Sequence, residues 1–190
     1  MNNLELRKDE LKFRLPELHA LCHWDEDELL AYIVLKTPKK QSREVISSMT
    51  KDFLDELNKK YGLRDEILSY FRVEGGGVKY INKEVRDYAV PAAHTHLVVG
   101  KHKLLGNVKY PERASWKYFE NSVIESAAIV GFVKKPWIEQ YHAKLNGNLE
   151  HGAEFYNLKC LNGRYSSDGD DPVVISRMLL RKLKKITRES

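Results

Sequence analysis

Two histidines one residue apart, His94 and His96, are the side chains of this sequence best placed to do chemistry. They stand in the run His94-Thr95-His96-Leu97-Val98-Val99-Gly100, whose β-branched and apolar character reads as a strand. Residues two apart on a strand point to the same face, so both imidazoles can converge on one cation as neutral nitrogen donors. An earlier strand-like run, residues 67–74, ends at Glu74. If the two runs pair, Glu74 supplies a carboxylate beside the histidines. Two imidazoles and one carboxylate leave positions open for substrate, as a catalytic metal requires. Chance alone can give this spacing in a chain with seven histidines. Its weight comes from the position of the pair at the entry to an apolar strand.

A second group is Tyr156-Asn157-Leu158-Lys159. On a helix Tyr156 and Lys159 share a face, while Phe155 and Leu158 turn to the other side and anchor it. A phenol with a pKa near 10 is a poor nucleophile at neutral pH. A neighbouring ammonium and a metal-bound phosphate would both favour attack by the phenolate. The plainer reading of the same residues is a half-buried tyrosine beside a surface lysine. Tyr141 and Tyr165 are the alternative nucleophiles. His19, Cys22 and His23 cluster near the start without a second ligand pair at zinc-finger spacing, and read as structural. Gly75-Gly76-Gly77 precedes Val78-Lys79 but lacks the spacing of a phosphate-binding Walker loop.

The elements that must position these residues follow from hydrophobic periodicity. Leu29-Leu30-Ala31-Tyr32-Ile33-Val34-Leu35 is a buried strand that stops at Thr37-Pro38. Ser42 caps a helix whose stripe is Val45, Ile46, Met49, Phe53, Leu54 and Leu57, closed by Gly62. The strands 67–74 and 94–100 follow, neighbours in sequence and expected to pair antiparallel. A second helix carries Trp116, Phe119, Val123, Ile124, Ala127 and Val130 and ends at Gly131. Residues 137–145 form a weaker strand candidate and 153–161 a short helix. The last helix is expected to start near Pro172, with Ile175, Met178, Leu179, Leu183 and Ile186 on one face and a strongly basic opposite side. Strand, helix, strand, strand, helix, strand is the split βαβ order. The expected fold is therefore α+β, a ferredoxin- or RRM-like antiparallel sheet with helices packed on one face, whose other face can stay open for a ligand. The chain divides into an arm or helix (1–27), a core domain (28–163) and a basic amphipathic helix packed on it (164–190).

Composition bounds the function. The chain's 190 residues are enough for one domain with its own core. Two cysteines, Cys22 and Cys160, make no disulfide framework and point to a reducing compartment. No stretch approaches the run of about 20 apolar residues that spans a membrane, and the first residues carry no apolar signal-peptide core. The expectation is a cytoplasmic protein without membrane partners. A net charge of +5 favours a polyanion, most often nucleic acid. Tyr80, Tyr88, Tyr110 and Trp116 could stack bases, and Lys79, Lys83, Lys101, Lys103 and Lys109 could follow a phosphate backbone.

Taken together, these parts resemble the HUH endonuclease superfamily, in particular rolling-circle replication initiators with a single catalytic tyrosine. Tyr32-Ile33-Val34-Leu35-Lys36-Thr37-Pro38 is similar to that family's first motif, an apolar strand ending in a threonine-containing turn. His94-Thr95-His96 stands where the family has its histidine pair, with Thr95 in place of a bulky apolar residue. Tyr156 to Lys159 is similar to the Tyr-x-x-Lys helix motif. The resemblance covers most of the chain, from about residue 28 to 160. It implies a Mg²⁺ or Mn²⁺ ion held by His94, His96 and Glu74, polarising a phosphate of single-stranded DNA at an origin or hairpin. Tyr156 would attack, leaving a 5′-phosphotyrosine and a free 3′-OH, and Lys159 would stabilise the charge. It also implies a host helicase and polymerase as partners, an oligomer as one possible state, and a host compartment where the replicon is copied. Two other classes compete: a non-catalytic nucleic-acid-binding module of RRM-like topology, and a metal-dependent phosphoesterase that uses activated water.

Overall fold

A computed structural model describes residues 29–63, 67–75, 80–81, 84–85, 92–101, 111–140 and 174–189. Tyr156, Lys159, Tyr141, Tyr165, the expected helix 153–161 and the segment 1–27 lie outside the described residues.

The fold is α+β, built on a five-stranded antiparallel sheet. Strand β1 (Leu29–Lys36) leads to helix α1 (Arg43–Tyr61) and strand β2 (Ser69–Glu74). A separate ladder of two-residue strands, β3 (Tyr80–Ile81) and β4 (Glu84–Val85), precedes β5 (His94–Gly100). A 3₁₀ turn at Pro111–Ala114 opens helix α2 (Trp116–Val130), followed by β6 (Trp137–Gln140), β7 (Val174–Ile175) and helix α3 (Arg177–Glu189). The strand order is β6-β1-β5-β2-β7, so the split βαβ core carries one extra edge strand. The expected pairing of the second and third strands is present, with Phe71 opposite Leu97 and Glu74 opposite His94. None of the described helices is long and apolar enough to cross a membrane.

Caps end the two long helices where the sequence says they should. The Ser42 side chain accepts from the Val45 amide and the Ser115 side chain from that of Tyr118. Gly62 and Gly131 close α1 and α2 in the left-handed region, at φ 62° and 97°. The core lies between these helices and one face of the sheet. Ile33, Leu35, Phe71, Val73, Leu97 and Val99 meet Ile46, Phe53 and Leu57 of α1 and Phe119, Val123 and Ala127 of α2. Side chains of this size stabilise by about 1.5–3 kcal/mol each when fully buried.

Three expectations are corrected. The buried face of α1 is Ile46, Thr50, Phe53, Leu57 and Tyr61, while Val45 is exposed. The last helix begins at Arg177 rather than near Pro172, because Val174 and Ile175 pair with Phe71 and Tyr70 as an edge strand. Ser176 makes the switch: its amide donates to the Ser69 carbonyl at 2.9 Å, and its Oγ accepts from the Ser69 and Leu179 amides. The second face of the sheet is not an open platform. Val34, Tyr70, Arg72, His96 and Val98 all point to it and all are buried, whereas Trp137 and Glu139 of the edge strand β6 are exposed on the same face.

Candidate metal centre

Alternation along β5 divides its side chains between two layers. Thr95, Leu97 and Val99 enter the helix-packed core, and His94, His96 and Val98 face the other way. Thr95 is buried and sits 2.7 Å, hydroxyl to hydroxyl, from Thr50 of α1. Thr50 already donates to the Ile46 carbonyl at 2.8 Å, so its only proton is committed and Thr95 is the donor of the pair. The residue between the histidines is thus polar because it ties the histidine strand to α1.

In the β2–β5 ladder Glu74 is directly opposite His94 and Arg72 opposite His96. Directly opposed residues share a face, with Cβ atoms about 4.5–5.5 Å apart. Glu74 Oε2 lies 2.9 Å from His96 Nε2 and 4.0 Å from His94 Nε2. One donor atom from each of the three residues falls within 4.8 Å of the others. The two imidazole centroids are 4.7 Å apart. Donors each about 2.1 Å from one ion stand no more than about 4.2 Å apart, so a small turn of one ring closes the set. This cluster can bind a metal ion.

Hydrogen bonds on the far sides of the rings prepare them for that role. His94 Nδ1 is 2.9 Å from the Ala92 carbonyl oxygen, which can only accept. The proton is therefore on Nδ1, and the lone pair of Nε2 points towards Glu74. His96 Nδ1 is hydrogen-bonded to the hydroxyl of Tyr32, which also stacks on the ring at a 21° interplanar angle. Tyr32 faces Val98 in the β1–β5 register, so it reaches His96 diagonally across the ladder. Sequence reasoning placed Tyr32 in a strand and gave it no part in the site. The signal that finds it is the β1–β5 register, which no local spacing contains.

Two cationic residues neighbour the cluster in the sheet register. Lys36 is directly opposite His94 on β1, and Arg72 is the next inward-row neighbour of His96 on β2. A divalent ion held by a single carboxylate keeps a net positive charge, and these two side chains add to it, so the end of the sheet suits an anionic ligand. His94 and Glu74 retain 14% and 20% of their side-chain exposure, which leaves the centre reachable. Trp116, a candidate base-stacking residue, instead packs on the core with its ring 5.4 Å from that of Phe119.

No family model, no curated protein and no solved structure matches this chain.

Proposed function

We propose that this protein is a metal-dependent single-stranded DNA endonuclease and strand transferase that initiates rolling-circle replication. The observation that supports it most is the meeting of Glu74, His94 and His96 at one end of a split βαβ sheet. Glu74, His94 and His96 would hold a divalent ion, Mg²⁺ or Mn²⁺, which would supply Lewis-acid polarisation of the scissile phosphate. Two nitrogen donors make the set softer than Mg²⁺ prefers, which favours Mn²⁺ in affinity. Lys36, exposed and directly opposite His94, would draw the DNA backbone towards the ligands. The Tyr156 hydroxyl would attack phosphorus, forming a phenolic P–O bond as the P–O3′ bond breaks. The products are a 5′-phosphotyrosine and a 3′-OH, and reversal of the step rejoins strands. Lys159 would offset charge on the phenolate or phosphate.

The test is incubation of the full chain with a pool of single-stranded oligonucleotides and Mn²⁺. The expected product is a heat-stable, protease-sensitive adduct on the cleaved strand, lost in Tyr156→Phe and on chelation. Absence of adduct and of cleavage across the pool would overturn the proposal. Metal-dependent nicking that survives Tyr156→Phe would assign activated water as the nucleophile instead.

A further inference from the structure

Trp137 is the most exposed large hydrophobic side chain among the described residues, at 64%. An indole left in solvent loses the burial that its size could provide, so its position carries information. In the sheet Trp137 is directly opposite Val34, and Val34 is directly opposite His96. The three side chains therefore form one row on one face, with the indole two strand spacings, about 9.6 Å of backbone, from the ligand strand. Val34, between them, is buried.

Two basic turns flank this row at the same end of the sheet. Residues 36–43 read Lys-Thr-Pro-Lys-Lys-Gln-Ser-Arg, and residues 131–138 read Gly-Phe-Val-Lys-Lys-Pro-Trp-Ile. Neither contains an acidic residue. The turns are joined: the Val133 amide donates to the Lys36 carbonyl at 2.7 Å. Lys36, Lys39, Lys40, Lys134 and Lys135 are all exposed. A rim of lysines around an exposed indole, next to a candidate metal centre, fits a ligand that alternates phosphates with aromatic rings.

We infer that Trp137 stacks the base of an unpaired nucleotide beside the phosphate at the Glu74–His94–His96 centre, while the two lysine turns hold the neighbouring phosphates. The inference rests on the nuclease reading for the chemistry at the centre, but the binding surface can be tested apart from it. Unstacked bases are available only in single strands, so the ligand is single-stranded DNA rather than duplex.

The experiment is fluorescence anisotropy of a labelled oligo(dT) probe with the full chain in EDTA, where no strand is cut. Trp137→Ala is expected to weaken binding about ten- to a hundredfold, and Trp137→Phe to retain most of the affinity. Lys134→Ala with Lys135→Ala should flatten the dependence of log affinity on log salt by about 1.4, since each lost single-strand phosphate contact removes about 0.7. Both substitutions lie on exposed positions, and circular dichroism of each variant checks the fold. Equal oligo(dT) affinity in wild type and Trp137→Ala would overturn the inference, as would duplex DNA binding as tightly as oligo(dT). Trp137-dependent binding without any adduct in Mn²⁺ would keep the surface and remove the nuclease reading. Adduct formation with Trp137-independent binding would do the reverse.

Discussion

The hydroxyl pair that joins β5 to α1 gives a sharp thermodynamic prediction. Thr50 and Thr95 are both fully buried. Thr95 donates to Thr50 at 2.7 Å, and Thr50 donates on to the Ile46 carbonyl at 2.8 Å. Valine has the shape of threonine without the hydroxyl, so each exchange isolates one end of the pair. Thr95→Val removes a donor and leaves the Thr50 oxygen with its own bond to Ile46 intact, at a cost of about 1 kcal/mol. Thr50→Val strands the Thr95 proton in the core and costs about 2 kcal/mol, near the middle of the range for an unmade buried hydrogen bond. The double variant puts two methyl groups where two hydroxyls were and should cost less than about 1 kcal/mol. The coupling is then about 2 kcal/mol. Urea denaturation of the four proteins measures it, and in melting temperature each kcal/mol corresponds to about 2–4 °C at this chain length. Mn²⁺ affinity of the folded variants should stay within about twofold, because Thr95 faces away from the ligands. Additive losses, with the double variant about 3 kcal/mol down, would refute the donor assignment and the linkage of the histidine strand to α1.

Four further outcomes follow from the same geometry. Tyr32→Phe removes the hydrogen bond on the far side of His96 and should lower Mn²⁺ affinity about tenfold by calorimetric titration, with unchanged affinity refuting the positioning role. Burial pushes the phenol of Tyr61 well above its ordinary pKa, with Tyr118 adding to the effect, and the Tyr61 hydroxyl is among the described residues without a hydrogen-bond partner. The folded chain therefore keeps a proton that the unfolded chain releases above about pH 10, so stability is lost as pH rises past that value; Tyr61→Phe should be as stable as wild type at neutral pH and lose less stability above pH 10, read by urea midpoints. Ser176→Ala should cost about 1 kcal/mol and accelerate hydrogen exchange at the Ser69 and Leu179 amides, both of which bond to its Oγ. Gly131→Ala should cost about 1–2 kcal/mol in thermal melts through its φ of 97° alone, since the nearest atom to an added Cβ, Met49 Cε, is 3.8 Å away.

Sequence periodicity was sufficient for the elements that bury an apolar face. The first strand, both capped helices and the strands ending at Glu74 and beginning at His94 are where alternation and helical spacing place them. Their pairing also brings Glu74 opposite His94, as neighbouring strands allow. Elements of two residues carry no period. Val174 and Ile175 continue the apolar pattern of α3, and their pairing with β2 depends on an edge left free elsewhere in the chain. The two-residue ladder of β3 and β4 lies beyond periodicity for the same reason. On α1, Thr50 and Tyr61 are buried by contacts to β5 and α2 that an apolar count cannot register. Tyr32 belongs to the site through a diagonal neighbour 64 residues away, and the reason for a polar residue at Thr95 lies in its partner Thr50 on α1, 45 residues away in sequence.

The order β6-β1-β5-β2-β7 also sets a hierarchy in time. β5 is hydrogen-bonded on both sides by long ladders, whereas β6 shows four described residues and β7 two. Short margins of a sheet open at lower free energy than its middle, so amides of β6 should exchange before those of β5. Trp137 sits on such a margin and the imidazoles sit on the central strand. Local opening at the margin would therefore free a base stacked on the indole, as proposed above, while a cation at the central strand would stay held.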